Sequence, residues 1–231
     1  MKRSWNLFIA EFITNEGYKM VLNGLLATVE IAVFGLIIGV IIGTLIAIVK
    51  VMPKYKTLPR VLDKICTVYV AFFRGTPMVV QLLLGYFVIL PSFGISADGV
   101  TVAITIFGLN SGAYVSEMMR SGIQSVDGGQ LEASRALGLT YWTSMMKVVI
   151  PQSVKNILPT LGNEFISLVK ETSVVSFIAV VDITKAFRSI GDANYEYIVP
   201  YLMLAAVYLI LVLLITWGIK VMERRMKRNE R

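Results

Sequence analysis

The sequence contains no histidine and a single cysteine, Cys66, and each shortage removes a class of chemistry. Without histidine the chain has no imidazole base, no histidine-ligated metal site and no histidine-based pH switch. A lone cysteine cannot form an internal disulfide. No Gly-Lys dipeptide occurs either, so the nucleotide-binding loop Gly-xxxx-Gly-Lys-Ser/Thr is missing. We therefore expect neither catalysis nor nucleotide binding by this chain.

Charge is also scarce, because only 16% of the 231 residues are charged whereas 56% are hydrophobic. Ordinary soluble domains are about 25% charged. The apolar excess forms five segments that suit transmembrane helices of about 20 residues each, and helices are the only open-ended structures that satisfy their own backbone in hydrocarbon. We predict a single all-α integral membrane domain with spans at residues 21–49, 61–90, 100–119, 157–181 and 199–222. The second span is interrupted by Arg74-Gly75-Thr76-Pro77.

The basic residues predict the orientation, because lysine and arginine in short loops are held on the cytoplasmic side of a membrane. Of the 22 lysines and arginines, 15 fall after the first span, after the third span or in the tail from Lys220 to Arg231, and five fall on the opposite side. The N-terminus is therefore predicted outside and the C-terminus in the cytoplasm. The net charge of +7 then reflects topology and contact with anionic lipid, and nucleic acid is not expected as a partner.

The longest polar stretch, residues 120–155, is cytoplasmic in this topology and favours two short helices. Asp127 is a suitable cap for the first helix, and Gly138 is placed to end it. The second helix is predicted from Tyr141 to Val149, where Pro151 would stop it. We expect a compact helix, turn and helix that stand out of the membrane.

This loop carries a motif of a known family. Glu132-Ala133-Ser134-xxx-Gly138, nine further residues and Val148-Val149-Ile150-Pro151 resemble the EAA loop of ABC importer permeases, Glu-Ala-Ala-xxx-Gly, nine residues, Ile-x-Leu-Pro. Ser134, Val148 and Ile150 are conservative departures. Further matches are Phe73-Arg74-Gly75-Thr76-Pro77-xxx-Gln81, Asn110-Ser111-xx-Tyr114-xx-Glu117, Gly122-Ile123-Gln124, Pro151-Gln152, Asn156-xx-Pro159-xxx-Asn163-Glu164 and Lys170-Glu171-Thr172-Ser173. Together they resemble the permeases for glutamine, histidine, arginine and related polar amino acids.

The resemblance implies a type I ABC importer permease fold in a bacterial cytoplasmic membrane. It implies that Glu132, Ala133, Arg135 and Gly138 contact a groove on an ATP-binding subunit. The implied partners are a pair of such subunits, an extracellular or periplasmic amino acid-binding protein and a second permease copy, identical or different. ATP and Mg would then reside on the partner pair, and no cofactor or metal is expected on this chain. The alternative for the loop is a solvated connection with an ordinary glycine cap.

Polar residues inside the spans are the candidate substrate contacts, because an ionisable group in lipid is costly and is usually functional. Glu164 is the candidate for a substrate ammonium or cationic side chain. The neutral candidates are Thr76, Gln81, Asn110, Ser111, Tyr114 and Ser167. The alternative is that these groups only hold helices together.

Three charged or aromatic features remain. Lys170 and Glu171 are predicted to form a structural ion pair or a gate element. Arg74 is predicted to mark the helix break, supported by backbone carbonyls. Asp192, Tyr195, Glu196 and Tyr197 form an outer patch that would meet a substrate-delivery protein or remain a solvated loop.

The sequence thus predicts the permease subunit of an ATP-driven importer that moves polar or basic amino acids by alternating access. An ion-coupled or proton-coupled secondary amino acid carrier is the alternative. A membrane enzyme would need a positioned base and nucleophile, which we do not find.

Overall fold

The computed structural model describes residues 2–52 and 54–228, and Arg231 of the predicted tail lies outside them. Short π-helical turns interrupt the helices at Ala10–Thr14, Leu84–Ile89 and Met145–Val149, and a 3₁₀-helix covers Thr172–Ile178. The α-helices in the described ranges are α1 Lys2–Ile9, α2 Gly17–Val51, α3 Thr57–Gly75, α4 Met78–Leu83, α5 Leu90–Ser92, α6 Gly99–Gln124, α7 Gly128–Ala136, α8 Tyr141–Ser144, α9 Ile150–Glu171, α10 Ile183–Asn194 and α11 Ile198–Arg228. The predicted all-α class is confirmed.

Three of these helices, α2, α6 and α11, are long and apolar enough to cross a membrane by length and composition alone. A fourth crossing is possible if α3 and the helical stretch Met78–Ser92 form one span, although the two are bent by 108° at the predicted break. The remaining predicted span, 157–181, corresponds to α9 and the 3₁₀-helix. This segment contains too many polar and charged side chains to count among the helices that are apolar enough to cross a membrane.

The α2 and α6 helices form the centre of the fold, and glycine lets their backbones approach closely. A Cβ atom on Gly39 would lie 2.5 Å from the Ser111 hydroxyl oxygen, and one on Gly43 would lie 2.6 Å from a Val115 methyl. Ser111 is fully buried in this contact. The close approach fixes the rotation of α6 and therefore the direction in which its polar face points.

Two helix boundaries differ from the predictions. The helix that begins at Tyr141 does not stop at Pro151, because the π-helical turn Met145–Val149 leads directly into α9, with Pro151 in its first turn. The missing donor of proline is accommodated beside the π-helical turn, where the regular i→i−4 hydrogen-bond ladder is already interrupted. The fourth span ends before residue 181, since Ala179 has a positive φ of 63° and terminates the 3₁₀-helix.

Two amphipathic helices, α1 and α10, lie at the predicted outer side, where the sequence suggested only polar connections. Phe8 of α1 packs into an apolar cluster with Ile183, Phe187 and Ile190 of α10. Asp182 caps α10 by accepting from the backbone N–H groups of Thr184 at 3.0 Å and Lys185 at 2.9 Å. These helices were missed because each is too short to form a hydrophobic run.

Candidate functional site

A buried carboxylate lies where α6 faces α9. Glu164 is only 7% exposed, and its Oε1 accepts a hydrogen bond from the Ser111 hydroxyl at 3.0 Å. No other described group donates to this carboxylate. An ionised carboxylate can accept about four hydrogen bonds, so most of its capacity is unused. The pair Ser111–Glu164 is therefore able to accept a cation or an ammonium group.

The predicted contacts Thr76, Gln81 and Asn110 meet in a different place, at the break between α3 and α4. Because Pro77 has no N–H, the carbonyl of Phe73 has lost its normal helical partner. Gln81 donates to the Phe73 carbonyl at 2.9 Å and to the Thr76 carbonyl at 3.0 Å. Asn110 donates to the same Phe73 carbonyl at 3.2 Å and to the Gln81 side-chain oxygen at 2.9 Å. We call Thr76, Gln81 and Asn110 the bend cluster.

The bend cluster corrects the role predicted for Arg74. The carbonyls freed by the break are bonded by the two amide side chains, and no hydrogen bond from Arg74 to a backbone carbonyl is formed in the described chain. Instead, the Arg74 guanidinium lies over the Tyr114 ring, 5.4 Å from its centroid. Tyr114 therefore faces Arg74, one helical turn from Ser111 on α6.

Arg74 and Tyr114 line the upper part of a cleft of about 890 Å³ that follows α6 toward its C-terminal end. The cleft is also lined by Glu117, Met118, Arg120, Ser121, Gly122 and Ser125 of α6 and its end, and by Asn156 and Thr160 of α9. Asn156, Thr160 and Glu164 recur every four residues, so they share one face of α9. The buried carboxylate and the cleft thus lie along the same helix face.

An ion-pair network between the C-terminal part of α2 and that of α6 was not predicted. Glu117 accepts from Lys50 at 3.0 Å through one oxygen and from Arg120 at 2.7 and 3.0 Å through the other. The sequence offered one signal for this network, because the first and third predicted spans end on the same side of the membrane. A second unpredicted feature is Glu30, an exposed carboxylate within α2.

Lys170 and Glu171, at the end of α9, are both exposed and do not form an ion pair with each other within the described residues. Neighbouring positions on a helix diverge by about 100°, so adjacent side chains do not face one another. The ion-pair alternative is therefore not formed in this structure. Ser167 lies one turn beyond Glu164 on α9 and is half-buried.

The polar loop between α6 and α9 forms the predicted short helix α7. The Asp127 carboxylate accepts from the Gly129 N–H at 2.9 Å. At the other end Gly138 has a φ of +85°, and the N–H groups of Gly138 and Leu139 bond back to the carbonyls of Arg135 and Ser134. This paired closure is a Schellman motif, which favours glycine at the left-handed position.

The side chains predicted for coupling are all available on α7 and its end. Glu132, Ala133, Arg135 and Gly138 are exposed, whereas Ser134 is buried against the body of the loop. Leu137, the residue before the glycine, is 84% exposed.

The outer patch is partly ordered by its own contacts. Tyr197 donates to the Asp192 carboxylate at 2.8 Å, and this hydrogen bond raises the pKa of the tyrosine. Tyr195 has a positive φ of 52° and is 86% exposed, between the ends of α10 and α11. The patch therefore presents an aromatic ring and acidic groups on the surface.

The model of one protein family, described as the binding-protein-dependent transport system inner membrane component, matches residues 35–228. The chain belongs to this family. It is the permease subunit of an ABC importer, and the family implies a substrate-binding protein and an ATP-binding subunit as partners. A secondary carrier is not favoured by this membership.

Relatives and solved structures agree with this family. The permease is 38% identical to the arginine transport system permease protein ArtQ of Bacillus subtilis, over 91% of this chain and 94% of that protein. It is 37% identical to a putative glutamine transport system permease protein GlnP of Rickettsia conorii, over 90% of this chain and 94% of that protein. A chain in a crystal structure of an amino acid ABC transporter with histidines superimposes with a TM-score of 0.82 at 39% identity, covering 92% and 96%. A chain of the MetNI methionine ABC transporter shares the fold, with a TM-score of 0.67 at 22% identity and coverage of 90% and 94%.

Proposed function

We propose that this permease moves polar or basic amino acids across the cytoplasmic membrane by alternating access, driven by ATP hydrolysis on partner subunits. The names of the relatives, which specify arginine and glutamine transport, support this substrate class. The observation that carries the proposal is the buried Glu164 carboxylate, which is bonded by Ser111 and by no other residue in the described part of the chain. A buried anion with unused acceptor capacity suits a substrate that brings an ammonium group or a cationic side chain.

The substrate site is centred on Glu164. Ser111 orients the carboxylate, and the substrate cation bonds to the oxygen that no described group contacts. Ser167 and Tyr114 contribute neutral polar groups one turn to either side along the path. The bend cluster shapes the wall of this path, because its amide donors already bond to the Phe73 and Thr76 carbonyls and, from Asn110, to the Gln81 side-chain oxygen.

Coupling to ATP takes place through α7. Glu132 and Arg135 offer charges of both signs at the rim of the contact, while Ala133 and Gly138 allow a partner surface to approach. Each permease copy docks one ATP-binding subunit, which holds ATP and Mg, and a second permease copy completes the pathway. Movement of α7 is transmitted to α6 and α9, which directly precede and follow the loop.

The orientation completes the proposal. With the N-terminus outside and the C-terminus in the cytoplasm, the outer patch around Tyr195 faces the amino acid-binding protein. Lys170 and Glu171 act as a gate element, in agreement with their exposure on a single copy. The charged cytoplasmic end contacts anionic lipid.

The test is a reconstituted complex of the permease with its ATP-binding subunits and binding protein in liposomes. We expect uptake and ATP hydrolysis to be stimulated by a subset of polar or basic amino acids, and Glu164→Ala to raise the amino acid concentration needed for this stimulation by about tenfold or more. Uptake should also be lost without the ATP-binding subunit. Uptake that is independent of ATP and abolished by an ionophore would refute the proposal in favour of an ion-coupled carrier.

A further inference from the structure

Arg74 is an exposed cation near the end of α3, and its guanidinium lies over the ring of Tyr114. Tyr114 is the sixteenth residue of α6, a helix long and apolar enough to span a membrane, and lies about 22 Å along it at 1.5 Å per residue. An arginine beside a spanning helix is expected to face a water-filled cavity or a partner group.

Arg74 has the cavity but no carboxylate partner among the described residues. It lines the 890 Å³ cleft below the Ser111–Glu164 pair. The other arginine of the cleft, Arg120, is already bonded twice to Glu117. The described chain contains no carboxylate within 4 Å of the Arg74 guanidinium, although one face of that group lies over the Tyr114 ring.

The remaining surface of this guanidinium is suited to one kind of ligand. Stacking on an aromatic ring occupies the face of the planar group and leaves its N–H donors at the edge. Those donors match the two oxygens of a carboxylate. Glu117, the one carboxylate among the described residues that line the cleft, is already bonded by Lys50 and Arg120 and is therefore not available to Arg74.

We propose that Arg74 is the carboxylate-binding residue of a second substrate position, located in the cleft between the Glu164 site and the cytoplasm. The inference rests on the proposed function, since the ligand is the α-carboxylate of the transported amino acid. Glu164 holds the cationic part of the substrate in the first position. Arg74 then receives the carboxylate as the substrate moves along the shared face of α6 and α9 toward release.

The test compares an amino acid with its α-carboxamide, which keeps the ammonium and loses the negative charge. The purified permease with its ATP-binding subunits, without nucleotide or binding protein, is incubated with the radiolabelled amino acid that stimulates ATP hydrolysis most. Unlabelled acid and amide then compete. We expect the wild type to prefer the acid by about tenfold or more, the difference expected for one charged hydrogen-bonded pair.

Arg74→Gln should abolish this preference by lowering the affinity for the acid to that for the amide. Arg74→Lys should retain part of it, because the charge remains while the planar fork is lost. The matched control is Lys64→Gln, which removes an exposed cation from the same helix α3 and should leave the preference intact. The ratio of acid to amide affinity is informative because a merely structural role of Arg74 would weaken both ligands equally.

Three results would overturn the assignment: equal binding of acid and amide by the wild type, an unchanged preference in Arg74→Gln, or a preference lost equally in Lys64→Gln. The first or second would indicate that an acidic group of the other permease copy neutralises Arg74. If Arg74→Gln does not assemble, Arg74→Lys decides the question. A preference for the acid over the amide in Arg74→Lys as large as that of the wild type would refute the contact with the planar guanidinium. Failure of the proposed function is separate, since no amino acid would then stimulate ATP hydrolysis in the wild type.

Discussion

The bend cluster and the Ser111–Glu164 pair are both polar groups in the membrane-spanning part of the chain, but they differ in how much of their hydrogen-bonding capacity is used. Gln81 donates to the Phe73 and Thr76 carbonyls, and Asn110 donates to the Phe73 carbonyl and to the Gln81 side-chain oxygen. Glu164 receives one hydrogen bond, from Ser111. The first group repairs a break that proline causes, whereas the second retains acceptors for a ligand.

This difference distinguishes a structural role from a substrate-binding role, a choice that the sequence alone does not decide. A polar residue in a span either holds helices together or contacts a substrate, and residue type alone does not decide between them. The comparison predicts that substitutions in the bend cluster reduce stability, while substitutions in the Ser111–Glu164 pair reduce substrate affinity. The following predictions test this separation, from the largest expected effect to the smallest.

Glu164→Ala should give the largest loss. Removing a charge-assisted hydrogen bond of about 1.5–3 kcal/mol lowers the affinity for the substrate by roughly 10-fold to 150-fold. The readout is the amino acid concentration that half-maximally stimulates ATP hydrolysis by the reconstituted complex. Glu30→Ala removes another carboxylate within a span, and it should leave this concentration unchanged. An equal loss in the two variants would remove Glu164 from the site.

Asn110→Leu should mainly lower stability. The substitution removes one of the two donors to the Phe73 carbonyl, and an underbonded buried polar group costs about 1–3 kcal/mol. We expect a lower thermal unfolding temperature of the purified permease, with substrate affinity within about twofold of the wild type. A normal unfolding temperature combined with lost affinity would reverse the assignment of the bend cluster.

Ser111→Ala should have an intermediate effect on binding. The carboxylate loses the one group that orients it, at a cost of about 1 kcal/mol, or roughly fivefold in affinity. Isothermal titration with the assembled complex measures this change. Because Ser111 packs against Gly39, Ser111→Thr is a useful second variant, and its extra methyl should impair assembly where alanine does not.

Thr76→Val should have the smallest effect. Gln81 loses the Thr76 hydroxyl as an acceptor at 2.8 Å but keeps the Phe73 and Thr76 carbonyls. We expect a stability change of about 0.5 kcal/mol or less and no change in transport. A transport defect in Thr76→Val with unchanged unfolding would make Thr76 a substrate contact.

Much of the fold was predictable because hydropathy and proline act locally. The break at Pro77, the capped helix at Asp127 and the left-handed position at Gly138 all follow from short segments of sequence. The stop at Pro151 was wrong because the chain stays helical through the π-helical turn that precedes this proline, and the sequence did not reveal that turn. Helices α1 and α10 required knowledge of the apolar cluster that they share.

The site was predictable as a set of residues but not as an arrangement. Glu164, Ser111, Asn110 and Gln81 were all predicted as candidate substrate contacts, yet their division into two groups depends on contacts such as that of Ser111 with Glu164, which are 53 residues apart. Helix periodicity gives the face of each residue within one helix. It does not give the rotation of one helix against another, which here depends on the close approach of α2 and α6.

The most direct test of the separation is a structure of the assembled importer with an amino acid bound in the permease. We predict that the cationic group of the ligand lies about 2.7–2.9 Å from a Glu164 oxygen, as in other charge-assisted hydrogen bonds. The hydrogen bonds of Gln81 and Asn110 to the Phe73 carbonyl should remain intact in that structure. A ligand that bonds Gln81 or Asn110 in place of this carbonyl, with Glu164 uncontacted, would contradict the account.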